Sequence, residues 1–221
     1  MHLHLPKPLH GWRAFAGEVG IIVIGVLIAL GAEQVVETLH WRESVSQMRQ
    51  AMRSELGIDR KRLEVNLAQD SCMSARLDAI LRWAPTAPAS ARIINADQPM
   101  LWNYHTSTWD ITKTSPTAGH FTLNEQLKYA ETYDAIANEQ RYLFDEQRSW
   151  TDLAVTLASA DRPDDRARIE REVASARLHL AGRETNGRSL LVRLDKLGVK
   201  ADAAGVPVRV DVHRLCRALE G

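Results

Sequence analysis

Outside the apolar stretch near the N-terminus, the residues best suited to chemistry are Trp102, Tyr104, His105 and Trp109, with Asp110 beside them. Indole and phenol rings offer rigid apolar area with polar tips, and a histidine and a carboxylate among them could orient a small molecule in a pocket. The competing reading is packing, because a short helix inside a long connection needs bulky anchors to sit on a bundle. Packing is the stronger of the two.

Other chemistry is sparse. The sequence has no His-Glu-x-x-His, no glycine-rich phosphate loop, no Cys-x-x-Cys and no Gly-x-Ser-x-Gly, so the motifs that signal hydrolysis, nucleotide binding or redox work are missing. This points away from an enzyme and calls for no cofactor. His2-x-His4 has donors for a transition metal but sits at a terminus, and no metal site is expected there. The two cysteines, Cys72 and Cys216, exclude a thiolate zinc cluster within one chain and leave room for a single disulfide. Each lies on a face expected to be buried, Cys72 beside Ala68 and Ala79, Cys216 between Val212 and Leu219. A bridge between them is predicted, and two unrelated buried thiols are the alternative.

Charge excludes one class of partner. Lys plus Arg number 28 and Asp plus Glu 28, giving a net charge of zero without a sustained basic block, so nucleic-acid binding loses its electrostatic support.

The strongest departure from an ordinary soluble protein is Phe15 to Val36. Its charge-free core, Val19 to Ala32, is 14 residues, about 21 Å of helix, which is short of a hydrocarbon core of about 30 Å. The flanks extend it: Ala14, Phe15, Ala16, Val35 and Val36 are apolar, while Glu18 and Glu33 fall near the ends, within reach of headgroups. Trp12 and Trp41 bracket the segment 29 residues apart, about 44 Å along a helix, which matches an aromatic belt. A buried soluble helix is disfavoured because the run is apolar on every face. A cleaved signal peptide also fits Lys7, Arg13 and the small residues at Ala29-Leu-Gly31, although Glu18 interrupts its pattern. Glu18, Gly25, Ala29 and Ala32 share one side of this helix, and Gly25-x-x-x-Ala29 has the small-residue spacing that lets membrane helices approach, so a homodimer is one reading.

Glu18, then Ile22-Val-Ile-Gly-Val-Leu-Ile-Ala-Leu30, then Gln34, resembles the N-terminal signature of a bacterial group of single-pass membrane proteins known as a domain of unknown function. The likeness covers about residues 12–45. That group carries an Asn-rich, Trp-containing stretch directly after the apolar run, where this sequence has Gly31 to Glu37 and delays its tryptophan to Trp41. The resemblance implies a membrane anchor and an α-helical body, and supplies no catalytic residue.

Past the apolar run there is no proline until Pro85, and Val45, Met48, Met52, Leu56, Leu63, Leu67, Leu77 and Leu81 recur with helical spacing. One long helix to Trp83 is predicted, packed on a second side through Ile58, Val65, Ala68, Cys72, Ala79 and Trp83. Pro85, Pro88 and Pro99 mark a surface connection, followed by a short helix over Leu101 to Lys113. Thr122-x-x-Glu125 has the form of a capping box. It opens a long helix whose seam, Tyr129, Tyr133, Ile136, Gln140, Leu143, Gln147, Trp150, Ala154 and Leu157, steps alternately by four and three. Asp161 to Asp165 turns the chain into a second helix with Ile169, Val173, Ala176, Leu180, Leu190, Leu194 and Leu197 on its seam, stopped by Gly198. Gly205 to Val210 is too short for a sheet, and Val212, Leu215, Cys216 and Leu219 make a last amphipathic turn.

The predicted fold class is therefore all-α: an N-terminal transmembrane helix continuing into a long helix, then an antiparallel helical bundle. Residues 1–14 form a short cytoplasmic tail, 15–36 the transmembrane helix and 37–221 an extracytoplasmic body, since the basic start lies before the span. The expected setting is the bacterial inner membrane, with lipid and an envelope protein as partners. The expected role is structural or interactive, and a sensory or ligand-binding module is the alternative.

Overall fold

A computed structural model describes residues 11–86, 93, 96–159, 165–204, 206 and 214–218. Among these residues five α-helices follow one another along the chain: α1 Gly11–Leu67, α2 Asp70–Trp83, α3 Ser107–Thr114, α4 Leu123–Ser159 and α5 Asp165–Lys196. Short 3₁₀ turns occupy Pro116–His120 and Arg214–Cys216, and no strand occurs among the described residues. The all-α class read from the sequence is what folds.

The chain divides into two units, Met1–Gln47 and Met48–Gly221. In the first, α1 is bare from Gly11 to His40, with Gly20 half-buried. Ile21, Ile22, Leu27 and Ile28 are 62–74% exposed, and the apolar stretch is long enough to cross a membrane with none of it buried.

The second unit is a bundle. Thr122 caps α4 as the capping box predicts: its Oγ1 accepts from the Glu125 N–H at 3.3 Å, and its own N–H donates to Glu125 Oε2 at 3.3 Å. Helices α4 and α5 form the antiparallel hairpin. Contacts step in opposite directions along them, from Glu131 with Arg193, through Asn138 with Asn186, to Ser149 with Ser175. Gly198 ends α5 with φ +65°, and Val199 N–H bonds Leu194 C=O while Gly198 N–H bonds Asp195 C=O. That double bond pattern is the Schellman closure, which needs the left-handed conformation glycine adopts without strain. At the end of the hairpin where α4 meets α5, a core of Met73, Leu77, Ile80, Trp150, Leu153, Leu157, Ile169 and Val173 joins α2 to it, with Leu215 from the last turn.

Three expectations are corrected. The helix from Val35 to Trp83 is interrupted at Ala68 and Gln69, where Gln69 N–H bonds Asn66 C=O in a tighter turn. No proline or glycine marks this break. Gln69 instead gives its side chain to Met100, donating from Nε2 to the carbonyl at 2.8 Å and accepting from the N–H at 3.1 Å. The second packed side of α1 and α2 is also different. Of the residues assigned to it only Cys72 is buried, Ala68 is exposed, and Ile58, Val65, Ala79 and Trp83 are half-buried. The short helix after the proline-rich connection begins at Ser107, not Leu101, because residues 98–106 form no regular element and are held by side chains of other elements. The assignments for residues 1–10, for Asp161 to Asp164, for Gly205 and Pro207 to Val210, and for Val212 and Leu219 lie outside the described residues.

Candidate functional site

The second packed side of α1 is a polar ladder. Glu55, Asp59, Arg62 and Asn66 alternate steps of four and three along one face of α1, Gln69 continues the line in the turn just past its end, and Glu55, Asp59, Asn66 and Gln69 are buried. Asn66 is fully enclosed; its Oδ1 accepts from Trp102 N–H at 2.8 Å and its Nδ2 donates to Trp102 C=O at 2.9 Å and to Tyr104 Oη at 3.0 Å. Tyr104 N–H donates to Gln140 Oε1, Arg62 donates to Asn103 C=O, and Asp59 Oδ2 accepts from His105 N–H at 2.9 Å. A backbone outside any helix or sheet must find hydrogen-bond partners elsewhere. Here the amides and carboxylates of a helix supply them.

Glu55 finishes the ladder at the start of α3. Its Oε2 accepts from Ser107 Oγ, Thr108 N–H and Thr108 Oγ1 at 2.8–3.0 Å, and its Oε1 from Tyr133 Oη at 3.0 Å. A carboxylate at a helix N-terminus satisfies orphan donors and meets the favourable end of the dipole. Burial pushes the Asp59 carboxyl up to about 7, against the His105 N–H and Arg62, which favour its charge. Burial also pushes the Tyr104 phenol up.

The ladder explains the aromatic group. Trp102 and Trp109 are half-buried, Tyr104 is buried and His105 is exposed. Trp102, Tyr104 and His105 lie in the segment before α3, and Trp109 lies on α3 itself. Trp109 lines a cleft of about 250 Å³ with Phe121, Leu123, Leu127 and Tyr129. Its indole stacks on Tyr133, centroids 5.6 Å apart and planes within 7°. Lys113 and Gln126 sit at the rim, Lys113 pairing with Asp110 and Gln126 donating to the carbonyls of Ala118 and Phe121. The cleft is a surface for apolar contact, and no group of His, Cys, Asp or Glu able to hold a metal occurs among the described residues.

A second polar centre lies inside the hairpin. On α5 the apolar pattern lapses between Leu180 and Leu190; Arg183 and Gly187 fill the interval in the same rhythm, and both are buried. Arg183 Nε donates to Glu146 Oε2 and its Nη2 to Asp70 Oδ1. Burial works against the guanidinium charge, but Glu146 and Asp70 outweigh it and hold Arg183 protonated. Gly187 sits at a close approach, since a Cβ there would stand 3.0 Å from Glu139 Oε1 and from Leu63 Cδ1.

Cys72 and Cys216 are paired as a disulfide with Cα atoms 4.6 Å apart. Cys72 is buried in the core and Cys216 is exposed. The bridge fixes the 3₁₀ turn at Arg214–Cys216 to α2, where Arg76 pairs with Asp97 at 3.3 Å. Glu18, Gly25, Ala29 and Ala32 all lie on the bare part of α1 and are exposed, and a Cβ at Gly25 would meet nothing within 4 Å.

Sequence reasoning missed Glu55, Asp59, Asn66, Arg183, Glu139 and Glu146. A signal was present: polar residues continuing a four-three spacing between apolar ones. No family model matches the chain, and neither curated proteins nor solved structures give a match.

Proposed function

We propose that this protein is a membrane-anchored helical protein of the bacterial cell envelope, single-pass in the inner membrane, whose bundle serves a structural or protein-interaction role on the periplasmic side. The observation that carries the reading is the bare apolar stretch of α1. Residues Ile21 to Leu30 leave aliphatic side chains uncovered on every face, and water is a poor solvent for such a surface. Lipid would cover it.

The side of the membrane follows from two further supports. Lys7 and Arg13 precede the stretch, and positive residues favour the cytoplasm. The Cys72–Cys216 bridge belongs in an oxidising compartment, on the far side. The N-terminal likeness to the bacterial single-pass group agrees with an anchor and a helical body. The polar ladder ties the segment before α3 to the bundle through specific hydrogen bonds, as a folded interaction surface needs.

Carbonate extraction should leave the chain in the membrane fraction, and a reporter fused after Gly221 should be active only when periplasmic. A reporter active only in the cytoplasm overturns the orientation. A second reading, a ligand-binding module acting through a partner, is favoured by the apolar cleft at Trp109. Proximity labelling from the bundle separates the two, envelope proteins indicating the first and a receptor or kinase the second.

A further inference from the structure

The Arg183 cluster holds more acid than base. Asp70 on α2, Glu139 and Glu146 on α4 and Arg183 on α5 are all buried, three carboxyls around one guanidinium. Arg183 engages Glu146 and Asp70 directly. Glu139 receives only the neutral Asn186 amide, whose Nδ2 donates at 2.7 Å to Oε2. Its Oε1 is buried without a hydrogen-bond partner, as are Glu146 Oε1, Asp70 Oδ2 and Arg183 Nη1. The remaining polar groups bearing on the cluster do not balance it. Tyr104, from the segment before α3, is a neutral phenol within the influence of Glu139, Arg183 and Asp59. Trp150 on α4 stands beside Glu146, and Glu184 and Arg188 on α5 act on Asp70 with opposite signs. On α1, Leu63 and Leu67 come closest to Gly187, and both are apolar.

We propose that this cluster is a proton-operated latch: a proton on Glu139 lets α2, α4 and α5 close around Arg183, and its loss loosens the middle of the bundle. With every carboxyl ionised the buried group carries two uncompensated negative charges, which a low-dielectric interior disfavours. Protonating Glu139 removes one of them and turns an unpartnered acceptor into a group that can donate. Burial pushes the Glu139 carboxyl up to about 7, against the Asn186 amide and Arg183, which favour the ionised form. Because the folded value lies above the ordinary one, the closed state is fully favoured below the ordinary carboxylate range. That advantage is lost as pH rises to about 7 and changes little beyond.

The test is hydrogen exchange of the full chain in detergent or nanodiscs, followed by mass spectrometry on peptides covering residues 139–146 and 180–187. An Asp59→Asn background removes a second carboxyl that burial pushes up to about 7. The opening constant, corrected for intrinsic exchange, is expected to rise on the order of 70-fold between about pH 5 and 8, and Glu139→Gln should flatten that rise. Opening that ignores pH, or a Glu139→Gln variant with the same pH slope, overturns the latch. Should that variant fail to fold, a carboxyl ¹³C NMR titration of Glu139 in the unsubstituted chain decides: a midpoint above about 6 supports the proposal and one below it refutes it.

Discussion

Removing the Asn66 side chain would show whether a helix side-chain ladder holds the aromatic segment. Asn66→Ala leaves three groups without partners: the N–H and C=O of Trp102 and the hydroxyl of Tyr104, now bonded at 2.8, 2.9 and 3.0 Å. Each such bond contributes about 1 kcal/mol net, and a buried donor or acceptor left alone costs about 1–3 kcal/mol. Tyr104 is buried, so its hydroxyl incurs most of that penalty, whereas Trp102 is half-buried and water can reach its backbone. The sum is a loss of roughly 2–4 kcal/mol. Urea unfolding of the full chain in detergent measures it, read as a shift in midpoint at constant slope. Adding Tyr104→Phe should cost little further, because the hydroxyl stranded by the first change is then gone, giving a coupling of about 1 kcal/mol in the double-mutant cycle. A loss below about 0.5 kcal/mol, together with unchanged exchange protection of the Trp102 amide, would show that the segment is held by its rings and not by the ladder.

Four further outcomes are expected. Arg183→Met should cost about 3–5 kcal/mol in unfolding free energy, since it strands Glu146 and Asp70 inside the bundle, and adding Glu146→Gln should recover part of the loss. Gly187→Ala brings a Cβ to 3.0 Å from Glu139 Oε1 and Leu63 Cδ1; a crowding cost of about 1–3 kcal/mol outweighs the gain of about 1 kcal/mol in helix propensity, so the thermal midpoint should fall. The same change at Gly182, where only the half-buried Tyr142 ring must move, should leave the midpoint nearly unchanged. Replacing Cys72 and Cys216 together by alanine should lower stability by about 2–4 kcal/mol, toward the upper end because the bridge spans 144 residues. Non-reducing mass spectrometry of the unsubstituted chain checks the bond, and two alkylatable thiols would contradict it.

What the sequence determined by itself is whatever rests on local pattern. The bare apolar run, the capping box at Thr122 and Glu125, the stop at Gly198, the seam of α4 and the antiparallel hairpin are each written in residues a few positions apart, because helix geometry repeats every 3.6 residues. The cysteine pairing could be foreseen because two thiols allow one bridge, although only packing brings Cys216 to α2. Other features were decided by the tertiary structure. Leu101 to Thr106 satisfies its backbone from Asn66, Asp59 and Gln140, residues 36–46 positions away, and that outcompetes a local helix. Gln69 breaks α1 from α2 by bonding Met100, with no breaker in its own neighbourhood. Arg183, in a polar stretch of α5, reads as a surface residue until Asp70 and Glu146 close over it, 113 and 37 positions away. A hydrophobic pattern records which positions are buried only where burial selects apolar side chains. Where buried polar groups satisfy one another across the chain, the residues look exposed in sequence, and only their partners in space give their place.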